Sequence, residues 1–339
     1  MSRMFNSSNH IADSSHEGQG TLGMVALRGV LTTSAKISKC TGLLLLIGGA
    51  GSIRIAYAQS THETGHQEDH HYDLGPDSGC DWLTPWAHSH YSERGTPYVH
   101  VFNIEPAFLG RELFLSYGSA RGSEGDEAEF EMELEWAFTR RIGMVLEAPL
   151  IQLDPSGANS ESGLGDIATA ARALLVESAD FLLAGNLELS IPTGDEDLGL
   201  GNGEASWAPS FSAWFDLRNR LQASVQIGAE SGMDSGDSEF FYNAALVYIL
   251  QTHDVHPETV PDRGHKGAHS LLGVTSGILE FNGRTSLDSP SNGHSSAELL
   301  IGAAYNMTSS VEVRGAFQFP VGGHQEHDSS FTLGLVYHF

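Results

Sequence analysis

Five glutamates at alternate positions of one short stretch constrain this chain most. The stretch EAEFEMELEW contains Glu127, Glu129, Glu131, Glu133 and Glu135, and apolar residues fill the positions between them. Because successive side chains of a β-strand point to opposite faces, a strand puts all five carboxylates on one face. Such a two-faced strand is typical of a transmembrane β-barrel with lipid outside and water inside. A soluble sandwich whose glutamates face solvent is the alternative.

The N-terminal region has the features of a secretory signal peptide. Basic residues precede a short apolar run at residues 43–47, and an Ala-Tyr-Ala cleavage site follows at residues 56–58. We therefore predict a signal peptide over residues 1–58, with an extension at its start that is long for this class and leaves the start codon open. Residues 59–95 are predicted to form a flexible His/Asp-rich periplasmic segment, and residues 96–339 the barrel.

The charge balance excludes some partners and favours others. Residues 1–58 hold five basic and two acidic residues, so the remaining chain has 12 basic and 41 acidic residues and a net charge of −29. A protein this acidic is a poor partner for nucleic acid or for anionic headgroups. We expect it to contact outer-membrane lipid, and lipopolysaccharide through bridging divalent cations.

The C-terminal residues SSFTLGLVYHF alternate apolar side chains with small or polar ones and end on Phe339. This pattern resembles the last strand of bacterial outer-membrane proteins, whose terminal aromatic residue is bound by the barrel-insertion machinery. We predict that machinery as a partner and the bacterial outer membrane as the location.

Alternation along the chain predicts an all-β, antiparallel barrel of about twelve strands, with lengths near the ~9–11 residues that cross a bilayer. The predicted strands are residues 98–118, 127–138, 142–153, 164–177, 180–192, 206–217, 220–230, 240–251, 269–282, 296–306, 310–321 and 329–339. Long connections follow the odd strands and short turns follow the even ones, which places both termini in the periplasm. The long 252–268 connection is an exception to this rule.

Several phrases resemble one family of outer-membrane barrels, the family named for the meta-pathway of phenol degradation. They include FNIEPAFLGRELFLSY, LEWAFTRRIGMVLEAPL, GLGDIATAARALL, NLELSIPTGDEDLGLGNGE and WAPSFSAWFDL, and together they span about residues 98–339. The GLGD and PTG phrases, in this order and spacing, are the most specific. The resemblance implies a barrel that moves small, often aromatic or apolar, compounds and that has no catalytic residues.

The glutamates of the alternating strand, together with Glu312 and Arg314, are the predicted selectivity residues. Clustered carboxylates in a wet lumen raise the local concentration of cations. The predicted function is therefore a channel or transporter for small solutes, with no enzyme activity. Arg111 and Arg172 are further inward or turn-proximal candidates. The alternative is a barrel filled by Glu–Arg pairs through which nothing passes.

A histidine cluster precedes the barrel and predicts a second function. His62, His66, His70 and His71 lie among acidic residues, and imidazole with carboxylate suits Zn²⁺, Ni²⁺ or Cu²⁺. The spacing matches no structural zinc motif, so a solvated linker is the alternative. If the segment binds metal, the protein would take part in transition-metal capture or efflux.

The stretch Ser291-Asn292-Gly293-His294-Ser295 contains the residue types of a catalytic nucleophile and its base. A nucleophile needs its base within hydrogen-bond reach and a third group to orient that base. The spacing supplies neither, so no catalytic residue is predicted.

Overall fold

The computed structural model describes residues 90–92, 94–123, 125–139, 141–251, 271–288, 294–323 and 327–339. The predicted signal peptide and the four histidines at 62–71 lie outside these residues, as does the whole of the 252–268 connection. Among the described residues, no helix is both long and apolar enough to span a membrane.

Thirteen antiparallel strands form the wall of the molecule. They are β1 (Arg111–Gly122), β2 (Gly125–Ala137), β3 (Ile142–Pro155), β4 (Glu161–Leu164), β5 (Ile167–Ser178), β6 (Phe181–Ile191), β7 (Ser206–Asp216), β8 (Leu221–Gly232), β9 (Ser238–Gln251), β10 (Thr275–Ser286), β11 (Ser295–Asn306), β12 (Val311–Gly323) and β13 (Ser329–His338). A short 3-10 helix, Glu196–Leu198, lies between β6 and β7.

The wall closes into a barrel of twelve strands. Apart from β4 and β5, each strand pairs with its sequence neighbours, and β1 pairs with β13, so the sheet closes on itself. Strands β4 and β5 both pair with β3 and together take the place of a single strand. Closure removes the unpaired backbone groups that an open sheet would expose to lipid. The prediction of an all-β barrel of about twelve strands is confirmed.

The outer face of the wall is apolar. Phe130, Phe211 and Leu333, on three different strands, have exposed fractions of 44%, 55% and 57%. Aromatic residues also lie near strand ends on this face, among them Trp207 and Tyr337. A wall that is apolar outside and polar inside is the reverse of a soluble protein and is the arrangement of a transmembrane barrel.

The first predicted strand is wrong in its first half. Residues 98–110 are not part of the wall, and β1 begins only at Arg111. The residues 90–92 and 94–110, here called the luminal segment, instead lie inside the barrel. Their apolar residues are buried, as Val99, Phe102 and Phe108 illustrate. Alternation in sequence cannot distinguish an extended segment in the wall from an extended segment packed inside it.

Two connections also differ from the prediction. The connection from β1 to β2 is only residues 123–124 rather than a long loop, because both strands extend further than their alternation indicated. The fourth predicted strand is interrupted at Gly165 and Asp166, between β4 and β5. The barrel has two ends. The terminal end holds the start of β1 and the end of β13, and the loop end lies opposite to it.

Candidate functional site: the barrel interior

The glutamate row, defined as Glu127, Glu129, Glu131, Glu133 and Glu135, lies on the inner face of β2. Each of its members is at most 8% exposed, whereas Phe130 and Met132 between them are 44% and 45% exposed. The side chains therefore have the orientation that alternation predicts. Whether they set selectivity stays a prediction.

Further carboxylates on the neighbouring strands adjoin the row. The register of β1 on β2 places Glu112 opposite Glu135, and the register of β3 on β2 places Glu147 opposite Glu133. Like charges directly opposite each other on one face destabilise a sheet. Eleven glutamates are buried among the described residues, against three buried arginines. The interior is therefore strongly acidic, and cations or protons must relieve part of this repulsion.

Arg172 on β5 pairs with one end of the row. Its Nη1 lies 2.8 Å from Glu135 Oε2 and 3.4 Å from Glu105 Oε2 of the luminal segment. The same guanidinium donates to the carbonyls of Pro106 and Phe108. Arg172 thus joins the wall to the luminal segment.

The other two predicted arginines differ from each other in position. Arg314 on β12 faces inward, donates to the Val101 carbonyl and lies 4.2 Å from the centre of the Phe102 ring. Arg111, predicted as an inward or turn-proximal candidate, lies opposite Trp136 in the register and shares the face of that residue. Its guanidinium is 4.8 Å from the Trp136 ring centre. Arg111 is thus the turn-proximal one of the three candidates, since it is the first residue of β1.

Glu312, the remaining predicted selectivity residue, is buried on the inner face of β12. Its Oε2 lies 3.4 Å from Asn306 Nδ2 on β11. Both Glu312 and Arg314 lie toward the terminal end of β12. Arg314 contacts the luminal segment there, which fits a role in holding that segment.

Wall side chains hold the luminal segment through its backbone. Glu280 accepts hydrogen bonds from the N–H groups of Phe102 and Asn103, at 2.9 and 2.8 Å. Gln226 Oε1 accepts from the Glu105 N–H at 3.2 Å. Because a segment inside a barrel has no neighbouring strand, side chains must satisfy its backbone. These acceptors stand on β10 and β8, so the segment is held from several sides of the lumen.

Two apolar clusters complete the packing of the luminal segment. Val99, Val101, Phe102 and Ile104 pack on apolar side chains of β9, β10 and β11, including Leu300. Ala107, Phe108 and Leu109 pack against a second group that includes Trp214. The segment therefore closes the part of the lumen nearest the terminal end.

The loop end retains an open cleft. It is lined by Glu127, Glu129, Glu131, Glu147, Pro149, Ile151, Asp166, Ala168, Leu200, Gly201 and Asn202. Three members of the glutamate row thus line the cleft, although each is at most 8% exposed. The rest of the row lies deeper, beside the luminal segment.

The GLGD and PTG phrases meet at the rim of this cleft. Asp166 accepts hydrogen bonds from the backbone N–H groups of Gly194 and Asn202, at 2.9 and 2.8 Å. The Thr193 hydroxyl donates to the Gly165 carbonyl at 2.8 Å and accepts from the Ile167 N–H at 2.9 Å. The loop 192–205 is thereby fastened across the break between β4 and β5.

Glycine is required where this loop makes its closest approach. A Cβ on Gly194 would lie 2.3 Å from the Leu200 carbonyl oxygen, and one on Gly201 would lie 2.5 Å from Asp166 Oδ1. The GLGD and PTG segments, which gave the most specific resemblance to a family, therefore form a structural junction at the mouth of the cleft. The sequence contained both phrases but no indication that they touch.

A group of histidines and glutamates at the terminal end was not predicted. Glu112 Oε1 lies 2.8 Å from His338 Nδ1, and Glu112 Oε2 lies 2.7 Å from His100 Nε2. His90 stacks edge-on to His338, with ring centres 5.0 Å apart. Burial lowers the pKa of His90 to about 4, although the Glu112 carboxylate acts in the opposite direction. The imidazole of His90 is therefore neutral at physiological pH.

The predicted sites outside the wall have no structural test. His62, His66, His70 and His71 lie outside the described residues, so metal binding by them stays a prediction. Ser291, Asn292 and Gly293 also lie outside the described part of the chain, while His294 is exposed at the loop end.

Known structures with a similar fold are outer-membrane barrels. The COG4313 outer membrane channel from Pseudomonas putida F1 is 14% identical, with a TM-score of 0.48, and the match covers 71% of this chain and 100% of that one. The NanC porin is 9% identical, with a TM-score of 0.47, over 67% of this chain and 100% of that one. LpxR from Salmonella typhimurium is 10% identical, with a TM-score of 0.43, over 67% and 100%. Similarities of this size say nothing about solute or site.

No family model matches the chain, and no curated protein matches it.

Proposed function

We propose that the protein is an outer-membrane channel for small solutes whose acidic lumen favours cations over anions. The observation that carries this proposal is the glutamate row, three members of which line the cleft at the loop end. Burying carboxylates is unfavourable unless a partner compensates them. A barrel that served only as a packed scaffold would be more stable with apolar side chains at these positions. The row is therefore best explained by what enters the cleft.

The apolar outer face and the closed sheet support residence in the outer membrane. Eleven of the twelve wall positions are single strands of 10 to 14 residues. Strands of ~9–11 residues are already long enough to cross a bilayer. The luminal segment closes the part of the lumen near the terminal end. Passage through the barrel therefore requires the segment to move, and we expect few and brief openings in the intact protein.

The resemblance in the GLGD and PTG phrases supports small aromatic or apolar compounds as the solutes. An acidic cleft adds a condition on charge, because it repels anions. Neutral aromatic compounds such as phenol should therefore enter more readily than anionic ones of similar size such as benzoate. In planar-bilayer recordings, phenol should block the ion current at lower concentrations than benzoate does.

The selectivity of the current tests the proposal directly. In a KCl gradient, the reversal potential of the unmodified protein should show preference for K⁺. The double variant Glu131→Gln and Glu133→Gln should lower the K⁺/Cl⁻ permeability ratio by roughly three- to tenfold. This estimate assumes that each carboxylate attracts a cation ~6 Å away by ~0.7 kcal/mol in a water-filled lumen.

The matched control removes two charges outside the lumen. Glu196→Gln with Asp197→Asn changes the exposed loop 192–205 and should leave the permeability ratio nearly unchanged. Anion preference in the unmodified protein, or the same ratio in both double variants, would contradict a role of the glutamate row in transport.

A further inference from the structure

The first and last strands of the barrel bring chemically matched side chains together at their seam. Glu112 is the second residue of β1, and His338 is the last residue of β13. The antiparallel register places them directly opposite each other, and both are buried, at 1% and 5% exposure. His90 and His100 reach the same place from the luminal segment. Three separate parts of the chain thus converge on one carboxylate.

Donor atoms of His90, Glu112 and His338 all lie within 4.8 Å of one another. In a tetrahedral zinc site, bonds of ~2.0–2.2 Å set neighbouring donors roughly 3.3–3.5 Å apart. Glu112 Oε1 and His338 Nδ1, at 2.8 Å, lie closer than this, so this pair would have to separate slightly while the three side chains adjust to coordination distance. Two imidazoles and a carboxylate form a donor set that zinc accepts, with a fourth position left for water or another ligand.

A buried nitrogen in this group is the second observation that indicates a ligand. The Nδ1 atom of His338 faces the Glu112 carboxylate, and its Nε2 atom is buried with no hydrogen-bond partner among the described residues. If the neutral ring carries its proton on Nδ1, that N–H donates to Glu112 and the lone pair of Nε2 has no hydrogen-bond donor. If the proton is on Nε2, the lone pair of Nδ1 faces the carboxylate oxygen of Glu112. In either tautomer of the neutral ring, one nitrogen lone pair therefore lacks a hydrogen-bond donor. A metal ion, which accepts an electron pair, would bind that lone pair.

His100 completes the arrangement. It contacts the second oxygen of Glu112 and so orients that carboxylate toward the other donors. Outer contacts of this kind are usual around metal ligands, where they fix the direction of the ligand and raise its basicity.

We propose that His90, Glu112 and His338 bind one Zn²⁺ ion, with His100 as the positioning residue of Glu112. The ion would join the luminal segment to β1 and β13 at the point where the barrel closes. This site is distinct from the histidines at 62–71 and does not depend on whether the lumen conducts.

The test uses the full chain, purified in detergent, with His62, His66, His70 and His71 all changed to Asn so that they do not compete. In this parent protein, equilibrium dialysis should find one tight Zn²⁺ site. Co²⁺ in place of Zn²⁺ should give the visible absorption of a low-symmetry site with nitrogen and oxygen ligands. The variants His90→Asn and Glu112→Gln should each weaken Zn²⁺ binding by more than about 100-fold, because loss of a mere outer contact already weakens it by ~10–100-fold.

Two further variants separate direct ligands from other effects. His100→Asn should weaken Zn²⁺ binding by about 10–100-fold and retain a shifted Co²⁺ spectrum. His294→Asn, which changes an exposed histidine at the loop end, should bind Zn²⁺ as the parent does. Because His90 lies outside every strand, its substitution tests the site even if the Glu112 variant does not fold.

Folding is checked by the shift in gel mobility that barrels show on heating. A parent protein without a tight Zn²⁺ site would overturn the proposal. So would a folded His90→Asn variant with unchanged affinity, or an equal loss in His294→Asn. None of these results depends on the ion current, so failure here is distinguishable from failure of the channel proposal.

Discussion

Arg172 lies between two buried carboxylates, Glu135 on the wall and Glu105 on the luminal segment, at 2.8 and 3.4 Å. Its side chain is 1% exposed, so water screens these contacts very little. Arg141 provides a contrast at the barrel rim. Its ion pair with Glu177 is longer, at 3.5 Å, and both side chains are about one quarter exposed, at 24% and 29%.

Arg172→Met should therefore destabilise the barrel by about 3–5 kcal/mol, since it leaves buried carboxylates without their counter-charge. Arg141→Met should change stability by about 0–1 kcal/mol, as is usual for exposed pairs. Urea unfolding in lipid vesicles, followed by tryptophan fluorescence, measures both. Adding Glu135→Gln to the Arg172 variant should recover part of the loss. Equal effects of the two arginine substitutions would show that Arg172 does not neutralise the buried acids.

Among the structural elements, the luminal segment has the most direct influence on passage through the barrel. Phe102 packs in the cluster that contains Leu300, is 2% exposed, and lies under the Arg314 guanidinium. The segment makes no strand pairing within the wall, so its position depends on such side-chain contacts and on the hydrogen bonds that its N–H groups donate to Glu280 and Gln226.

Phe102→Ala should loosen the segment by about 3–5 kcal/mol, the usual effect of removing a buried phenylalanine ring. Single-channel recordings should then show more frequent or longer openings. The matched control is Phe211→Ala, which removes the same ring from the outer face, where Phe211 is 55% exposed. Openings should not increase in that variant. An unchanged open time in Phe102→Ala would mean that the segment does not limit the current.

At the scale of the whole molecule, the opposite polarity of the two faces decides where the protein can reside. The outer face carries exposed apolar side chains on every side, and the inner face carries the buried acids. Lipid stabilises the first face, and water or counter-ions stabilise the second. The destabilisation caused by a charged side chain on the outer face should therefore depend on its depth in the bilayer.

Leu333→Arg places a charge on the outer face in the middle of β13, at a residue that is 57% exposed. It should destabilise the folded barrel in lipid by about 2–4 kcal/mol, whereas Ser329→Arg on the same face at the loop end of the strand should cost about 0–1 kcal/mol. Urea titration in vesicles measures the difference. Equal effects at the two positions would contradict a bilayer around the middle of the wall.

The sequence alone determined the class of fold and the facing of its strands. Alternation in a strand is local, so side chains such as Glu131 and Glu133 are assigned to one face without knowledge of any neighbour. The number of wall positions, the polar interior and the apolar exterior follow from the same local rule. The glutamate row could therefore be named before its surroundings were known.

Only the tertiary structure decided what closes the lumen and what meets inside it. The sequence predicted a wall strand at residues 98–110 because an extended segment packed inside the barrel has the same kind of composition as a wall strand. Asp166 with Gly194, and Glu112 with His338, are far apart in sequence and touch only through strand register and loop packing. Pairings of this kind depend on which strands become neighbours when the barrel closes, and no local pattern in a single sequence records that choice.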